Sequence, residues 1–392
     1  MGKNLKGKEL GKGICQKKDG TYLARFVGGN GKRIEKCFKA LPEARNWLEE
    51  TRHKDACSGI VLGAGTTVDE WYEFWIKNIV GNRAYDTIRN YRERYEINIR
   101  PIVGNLVLQD LKPLHCSLIL RKMEEQDYAG ATIKQTYTIL GTILKAAYEN
   151  EMIPKNVMNG VKCPKNARAV DDIRFLTVDE QDKLLQVAKR SHNYFQYCFV
   201  LDTGLRTSEL IGLTWDKVDL SRREITVNKT LKYRYKTKIW EAGPPKSMSS
   251  YRTIPLTDRA YEILSILKVR AKDIRRSPEL NQTLEFRDLK SGRIDSFNMN
   301  DLVFINYRTG MPAKNSSYDT HLYKLCEKAE IERISMHGFR HTFATRAIER
   351  DVQPKVLQRI LGHSSLQMTM DRYVHVSDES MFEAIRRFEG KA

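Results

Sequence analysis

The same tetrapeptide, Thr-Val-Asp-Glu, occurs twice in this chain of 392 residues, at positions 67–70 and 177–180. It has the pattern of a capping box, in which a threonine and a glutamate three residues later each accept a backbone hydrogen bond at a helix start. Each copy follows a stretch with Gly, Ser or Pro, residues 58–65 and 156–171, that is typical of a linker. We therefore predict three domains, each with its own core. The expected domains are residues 1–60, 66–157 and 172–392.

The first block has the pattern of a small three-stranded sheet with one helix. Apolar and polar residues alternate at positions 21–27, a turn follows at 28–31, and another strand runs from Lys32 to Phe38. A helix is expected from Pro42, so that it packs on the sheet. Basic residues far outnumber acidic ones in these first 39 positions. That imbalance suits a domain that binds in a DNA groove through its strands, although a solvated sheet face has the same composition.

The second block has the apolar spacing of amphipathic helices. Large apolar residues recur three and four positions apart in three segments. Basic residues fall mostly between these positions, which predicts a compact helical bundle with a basic outer surface. The expected apolar faces are Trp71, Phe74, Trp75 and Ile79; Ile88, Tyr91, Tyr95 and Ile99; and Ile133, Tyr137, Leu140, Ile143, Leu144 and Ala147.

The third block combines helices with strands. Helices are expected after its capping box, followed by a long strand at 224–239 in which polar and apolar residues alternate. A turn at 243–245 and a second strand at 251–256 follow, and Lys246 lies between the two strands. The chain is thus expected to have an α+β multidomain fold: a small amino-terminal β-sheet plus helix, a helical domain, and a mainly helical domain with a β-hairpin or sheet.

The charge of the chain favours a polyanionic partner. Lys and Arg together number 67 and Asp and Glu 49, so the formal net charge is +18 at pH 7. Binding to phosphates releases counterions, which favours association with nucleic acid. No apolar run reaches the roughly 18 residues of a membrane span, and the first residues lack the apolar core of a secretion signal. We therefore expect a soluble protein in the cytoplasm, without a membrane partner.

The cysteines give no sign of a cross-linked or metal-bound fold. There are seven, an odd number, and no two have the short spacing of a zinc site or redox motif. Cys198 lies in an apolar run at 194–201, so it is interpreted as core packing.

Tyr373 follows segments that carry the cations a nucleophilic tyrosine needs. A tyrosine hydroxyl, whose ordinary pKa is about 10, attacks a phosphodiester only where positive groups stabilise the phenolate and the charge on the phosphate oxygens. Two arginines and histidines are present in three upstream segments. These segments are Thr-Gly-Leu-Arg-Thr-Ser-Glu-Leu at 203–210, His-Gly-Phe-Arg-His at 337–341 and Leu-Gly-His-Ser-Ser at 361–365.

Together these segments closely resemble the catalytic domain of the tyrosine recombinases, the lambda-integrase family of site-specific DNA recombinases. They occur in the family's order, with Lys246 between the first segment and the second. The second block resembles the family's core-binding domain in its layout. The basic amino-terminal sheet resembles the arm-type DNA-binding domain of integrases from temperate phages and conjugative transposons.

The resemblance implies roles for the residues that would hold the phosphate. Arg206 and Arg340 match the two arginines that clamp the scissile phosphate with paired hydrogen bonds. His337 lies three residues before Arg340, on the same helical face, and His363 would donate to a phosphate oxygen. Glu209 matches an acidic position that orients Arg206 without touching DNA.

The resemblance also implies the groups that make and break bonds. Tyr373 matches the nucleophile, which forms a 3′-phosphotyrosyl bond and so conserves the energy of the backbone bond for rejoining. Lys246 matches the hairpin lysine that protonates the leaving 5′ oxygen as general acid. His341 is expected to support the site without a catalytic role. Nearby alternatives to Lys246 are Lys229, Lys232, Lys236 and Lys238.

The mechanism implied by the family needs no metal, ATP or other cofactor. Four protomers on two duplexes would exchange one pair of strands, pass through a Holliday junction and exchange the second pair. The expected partners are double-stranded DNA at core and arm attachment sites and three further copies of the chain, with an excisionase or a DNA-bending protein as an additional candidate. The protein would act on the bacterial nucleoid, in the service of a phage or a conjugative transposon.

Two segments have alternative assignments. The basic hairpin from about Lys229 to Lys246 is longer than in compact family members, and it would contact either DNA or a neighbouring protomer. A short apolar stripe after Tyr373 would dock either on its own domain or, as in the family, on the next protomer. That stripe consists of Met381, Phe382, Ile385 and Phe388.

Three rival functions fit parts of the sequence. His337 and His341 have the spacing of a helical zinc pair, but Gly338 stands where a metal hydrolase has its glutamate, and Arg340 would place a cation beside the metal. A DNA-binding regulator that had lost its chemistry would lack an arginine or the tyrosine, and all are present. A type IB topoisomerase shares the chemistry, and the two additional DNA-binding blocks argue against it.

Overall fold

The computed structural model describes residues 2–5, 7–27, 33–58, 63, 65–81, 83, 85–164 and 174–373. The chain divides into two compact units, Met1–Asp171 and Asp172–Ala392. The first unit contains two separate apolar clusters, one in the amino-terminal sheet and one in the helical block. No helix in these described ranges is long and apolar enough to cross a membrane.

The amino-terminal block is a small antiparallel sheet covered by a helix, as the sequence predicted. Helix α1 packs on strand β4, and the core between them contains Ile14, Ala24, Ala44 and Leu48. The predicted turn at 28–31 lies outside the described residues. The elements are β1 (Gly2–Lys3), β2 (Glu9–Gly11), β3 (Ile14–Gln16), β4 (Tyr22–Val27), β5 (Arg33–Phe38) and α1 (Leu41–Ser58), with sheet orders β1-β2 and β3-β4-β5.

The second block is helical and starts at its capping box. The Thr67 hydroxyl accepts from the backbone N–H of Glu70 at 3.2 Å, and the Glu70 carboxylate accepts from that of Thr67 at 2.9 Å. The elements are α2 (Val68–Phe74) with the π-helical turn Trp75–Ile79, α3 (Tyr85–Arg94) with the π-helical turn Tyr95–Ile99, α4 (Arg100–Val103), α5 (Pro113–Glu125) and α6 (Gly130–Glu149).

One residue of the first predicted apolar face is on the wrong side. Ile79 is 40% exposed, whereas Ile76 and Val80 are buried. The cause is the π-helical turn, in which the N–H of Val80 donates to the carbonyl of Trp75, five residues earlier, at 2.9 Å. This wider turn changes which positions share a face, so a spacing rule for α-helices fails there.

The second linker was predicted to start too early. Val157 and Met158 form a 3₁₀ turn, Val157–Gly160, and both are buried in the core of the helical block together with Val161. The remaining part of that linker from residue 165 onward, and most of the first linker, lie outside the described residues.

In its described residues, 174–373, the second unit is mainly helical with three small sheets. Its second capping box forms as predicted between Thr177 and Glu180. The central helix α8 is buried on most sides and packs against α10 and α12. The helices are α7 (Val178–Ala188), α8 (Tyr194–Thr203), α9 (Thr207–Ile211), α10 (Asp258–Arg270), α11 (Asn315–Lys328), α12 (Met336–Glu349), α13 (Pro354–Leu361) and α14 (Leu366–Tyr373). Cys198, on α8, is buried as expected.

The predicted long strand at 224–239 is two strands of different sheets. Strand β7 pairs with β10, whereas β8 turns back at 235–238 to pair with β9. Three consecutive polar residues, 228–230, interrupt the alternation at this break, and the alternation then resumes in the same phase. The strands are β6 (Val218–Asp219), β7 (Glu224–Val227), β8 (Thr230–Arg234), β9 (Ile239–Gly243), β10 (Arg252–Pro255), β11 (Thr283–Arg287) and β12 (Ile294–Asn298). The β11–β12 hairpin was not predicted.

The basic hairpin β8–β9 contacts the start of α11 in its own unit. The Tyr233 backbone N–H donates to the Asn315 side chain at 3.0 Å, and the Lys314 ammonium lies 4.0 Å from the centre of the Tyr233 ring. These contacts orient one face of the hairpin inward. Whether it also contacts DNA or a neighbouring protomer stays an open prediction.

Candidate active site

Arg206 is held at the start of α9 by a buried carboxylate. Its guanidinium Nη1 donates to Glu209 Oε1 at 2.8 Å, and its backbone N–H donates to Glu209 Oε2 at 3.0 Å. The Arg206 side chain is 27% exposed and that of Glu209 only 1%. Within the described part of the chain, the guanidinium bonds to Glu209 alone, so its remaining N–H groups can donate to a ligand. Glu209 thus contacts Arg206, as predicted.

Arg340 lies deeper than Arg206 and joins two motif segments. Only 1% of the residue is exposed. Its Nη1 donates to the carbonyl of Gly204 at 2.8 Å and its Nη2 to that of Leu361 at 2.6 Å. These carbonyls lie two residues before Arg206 and His363, respectively. One buried guanidinium therefore fixes the separation of the segments that carry these two residues.

Gly204 is required at this junction. Its φ is +63°, a left-handed conformation that L side chains rarely adopt, and a Cβ there would lie 2.6 Å from the Phe343 ring. Gly204 caps the carboxyl end of α8, two residues before Arg206.

His363 is buried and bonded to the helix that ends at Tyr373. The residue is 4% exposed, and its Nδ1 lies 2.9 Å from the Thr369 hydroxyl oxygen. Thr369 is fully buried on α14, four residues before Tyr373. A partner at Nδ1 holds the orientation of the imidazole ring.

For the DNA cleavage that the resemblance implies, Thr369→Val should slow the reaction by about fivefold, since the loss of one hydrogen bond costs about 1 kcal/mol. Valine has nearly the same shape but cannot hold His363 Nδ1. Single-turnover cleavage of a nicked DNA substrate measures the change. Thr369→Ser, which retains the hydroxyl, should restore most of the rate; equal rates for Val and Ser would remove this hydrogen bond from the mechanism.

Lys246 is exposed in the loop between β9 and β10, and the end of that loop contacts the His363 turn. The Ser250 hydroxyl donates to the carbonyl of Gly362 at 3.4 Å, and a Cβ on Gly362 would lie 3.1 Å from the Ser249 carbonyl oxygen. These contacts place the end of the Lys246 loop against the turn that carries His363.

Lys229, the first alternative lysine, lies in the core. It is 4% exposed, and its ammonium donates to the Thr214 hydroxyl at 2.7 Å and lies 5.0 Å from the centre of the Phe297 ring. Burial lowers its pKa to about 8, despite the opposing charge of Asp216. This position inside the core argues against contact with DNA.

His337 and Arg340 do not share an environment, although they share a helix. His337 is exposed at the first turn of α12, whereas Arg340 is buried. The ring centres of His337 and His341 are 4.5 Å apart, and both line an open cavity of about 500 Å³ with Arg174, Tyr323 and Arg333. Helix α12 packs on α8. Arg340 lies within that contact, whereas His337, three positions earlier, lies at its edge. Among the described residues, no cluster of three or more His, Cys, Asp and Glu side chains could hold a metal ion.

Tyr373 is the last residue of α14, and its side chain lies outside the described residues, as does the predicted apolar stripe of Met381, Phe382, Ile385 and Phe388. Two other tyrosines of this unit, Tyr197 and Tyr318, are fully buried. Burial raises the pKa of both phenols. Neither can therefore reach a phosphodiester in this fold.

Family profiles decide between the rival interpretations. Residues 174–380 match the phage integrase family, and residues 67–123 match the phage integrase N-terminal SAM-like domain. The first match covers more than half of the chain. The chain belongs to the phage integrase family. It is therefore a tyrosine recombinase, and the zinc hydrolase interpretation is excluded.

Relatives of this integrase come from mobile elements and other recombination systems. The transposase from transposon Tn1545 of Streptococcus pneumoniae is 26% identical over 97% of this chain and 95% of its own length. The tyrosine recombinase XerC-like protein of Caldanaerobacter subterraneus is 24% identical over 91% of this chain and 92% of its own. The Tn1549 transposon integrase, solved in complex with transposon right end DNA, has the same fold, with a TM-score of 0.69 at 22% identity over 83% of this chain and 100% of that one.

Basic residues that the sequence interpretation of this integrase missed surround the His363 turn. An open cavity of about 950 Å³ borders this turn and is bounded by β7, β10, α13 and the tip of the β11–β12 hairpin. The elements are distant in sequence and share no spacing pattern, so no local signal could have grouped them. Besides His363, the basic residues of the lining are Lys290, Lys355, Arg359 and the largely buried Arg252.

Proposed function

We propose that this integrase integrates and excises a transposon-like element by cutting and rejoining DNA at specific sites, through a 3′-phosphotyrosyl intermediate and a Holliday junction. The contacts of Arg340 carry the proposal. Its guanidinium bonds to Gly204 and to Leu361, and so joins the segments of Arg206 and His363 that lie far apart in sequence. The transposon names of two relatives support the kind of element.

In the proposed cleavage step, the Tyr373 oxygen attacks the phosphorus and its proton passes to water. A bond forms between that oxygen and phosphorus, and the bond from phosphorus to the 5′ oxygen breaks. Lys246 supplies the proton that the 5′ oxygen takes up. Rejoining is the reverse reaction with the 5′ hydroxyl of the partner strand, so no external energy source is consumed.

The two arginines contribute differently in this proposal. Arg206 has the more exposed guanidinium, so we assign it the direct, paired hydrogen bonds to the phosphate oxygens. Arg340 adds positive charge from its buried position and holds the segments of Arg206 and His363 in place. His363 donates from Nε2, and His337 approaches from the exposed end of α12. These groups stabilise the charge that develops on the phosphate.

The proposed partner is double-stranded DNA at core and arm sites. The +18 net charge and the basic cavity beside His363 suit a phosphate backbone, and the Tn1549 relative was solved with DNA. We propose residues 1–60 as the arm-type domain, 66–157 as the core-binding domain and 172–392 as the catalytic domain. Four protomers would assemble on two duplexes in the cytoplasm, with an excisionase or a DNA-bending protein as accessory.

Covalent attachment to DNA tests this function. The purified protein is incubated in EDTA with a nicked, end-labelled duplex that carries the end of its element, and the products are separated on a denaturing gel. We expect a protein-linked label whose yield is the same with and without EDTA, because the proposed chemistry uses no metal. Complete inhibition by EDTA, or duplex binding without any adduct at any concentration, would contradict the proposal.

A further inference from the structure

Arg252 is a buried arginine that none of the motif assignments includes. It is the first residue of β10, six positions after Lys246, and its side chain is 5% exposed. Its guanidinium donates to both oxygens of Glu209, at 2.9 and 3.2 Å, to the Ser250 carbonyl at 3.0 Å and to the Ile360 carbonyl. A guanidinium this buried persists only when its donors are paired, and here each of its three nitrogens has a partner.

The Glu209 carboxylate is shared between Arg252 and Arg206. Oε1 accepts from the guanidinium Nη1 of both arginines, and Oε2 accepts from Arg252 Nη2 and the Arg206 backbone N–H. Burial alone would raise the pKa of Glu209, but the charge and hydrogen bonds of Arg252, with the charges of Arg206 and Arg340, lower it to about 2. Arg206 therefore takes its orientation from a carboxylate that Arg252 keeps ionised and in place.

Arg252 also fixes the end of α13, just before His363. Its Nε donates to the carbonyl of Ile360, and Arg340 donates to the next carbonyl, that of Leu361. The last carbonyls of a helix have no partner within the helix, so cations that bond to them define where it ends. Gly362 follows in the left-handed conformation, and a Cβ there would lie 3.2 Å from Arg252 Cδ. The direction in which the chain enters His363 thus depends on Arg252.

We propose that Arg252 is a positioning residue for strand cleavage. It connects three parts of the site: Arg206 through Glu209, the His363 turn through Ile360, and the Lys246 loop through strand β10. This inference rests on the proposed function and adds a residue that acts through others. Because its side chain is 5% exposed and its nitrogens are paired, Arg252 does not bind DNA itself. Its replacement should affect the rate of cleavage and leave DNA affinity almost unchanged.

Arg252→Lys is the first variant, because lysine keeps the charge but has one nitrogen, which cannot reach Glu209 and Ile360 together. We expect single-turnover cleavage of the nicked duplex to slow by about 100-fold, the cost of a small displacement of catalytic groups. The dissociation constant for the same duplex should change by less than about threefold, since phosphate contacts set affinity. Glu209→Gln should give a similar loss, and the double variant should lose little more than either single one.

A matched control separates positioning from general stability. Arg259 forms another bidentate pair in the same unit, with Asp202 at 2.6 and 2.7 Å, and this pair does not include Glu209 or the Ile360 carbonyl. Arg259→Lys should leave the cleavage rate within about twofold of wild type, as expected for a partly exposed pair. Rates are expressed per folded molecule, from the fraction that binds duplex, so that partial unfolding does not mimic the effect.

The pH profile provides a readout that a merely stabilising residue would not change. The charged groups that face Glu209 are Arg206 on α9, Arg252 on β10 and Arg340 on α12. In the wild type, the ionised carboxylate is lost only as pH falls through about 2. In Arg252→Met, Glu209 stays buried but no longer has the positive charge of Arg252 beside it. The pKa of Glu209 therefore rises, and its carboxylate becomes protonated at a higher pH than in wild type. We therefore expect a new decline of cleavage on the acid side, absent from wild type and from Arg259→Met.

The outcomes distinguish this inference from the function on which it rests. A wild-type protein that forms no adduct overturns both. Equal cleavage rates for wild type and Arg252→Lys, or a loss in Arg252→Lys that is matched by a loss of duplex affinity, overturn the positioning role alone. A rate loss with unchanged affinity, together with the acid decline in Arg252→Met, supports it.

Discussion

Tyr373→Phe is expected to abolish covalent attachment to DNA completely while the affinity for duplex changes by less than about twofold. The substitution removes one oxygen, the atom that would bond to phosphorus, and keeps the aromatic ring. Attack by water in place of Tyr373 would leave a hydrolysed strand and no adduct. The measurement is the protein-linked label on a denaturing gel, with affinity from gel shift of the same nicked duplex.

Tyr307→Phe provides the control for this experiment. Tyr307 is 56% exposed in the same unit, so it is accessible to solvent like a nucleophile but belongs to no motif segment. It should form the adduct at the wild-type rate. An adduct that persists in Tyr373→Phe would remove Tyr373 from its role, and peptide mapping of that adduct would then identify the tyrosine that acts.

Arg206→Lys is expected to slow cleavage by about 100- to 1,000-fold, or about 3 to 4 kcal/mol in the barrier. The guanidinium of Arg206 bonds to Glu209 through Nη1 and has further N–H groups on a rigid plane. A lysine ammonium is a point charge that cannot hold Glu209 and donate a pair of hydrogen bonds to a phosphate at once. Single-turnover cleavage measures the loss, and the duplex affinity should fall only slightly.

The same substitution at a partly exposed arginine tests whether the charge alone matters. Arg259 is 41% exposed and paired with Asp202, and Arg259→Lys should have less than about a twofold effect on cleavage. If Arg206→Lys retained wild-type activity, paired hydrogen bonding by Arg206 would not be part of catalysis. If it lost DNA affinity in proportion to rate, Arg206 would be a binding residue and not one that stabilises the transition state.

Local sequence signals correctly predicted the parts of the fold that depend on nearby residues. Both capping boxes form as predicted at Thr67 and Thr177, because the groups that satisfy each other lie three residues apart. The amino-terminal sheet and helix were also predicted correctly, since alternation and turn residues act over short distances. The same rules failed at Ile79, where a π-helical turn changes the spacing, and at 228–229, where alternation resumes in the same phase although the chain moves to another sheet.

The sequence by itself determined the family and the candidate catalytic set, since the identity and order of motif residues are properties of the chain. Only the tertiary structure decided how these residues are supported. Arg252 bonds to Glu209 and Ile360, which are 43 and 108 positions away, and no periodicity extends over such distances. It also decided that Arg340 is buried and His337 exposed, because burial depends on which elements pack around a helix. The residue types that carry the chemistry can be recognised in the sequence, whereas hydrogen bonds between distant segments form only when the chain has folded.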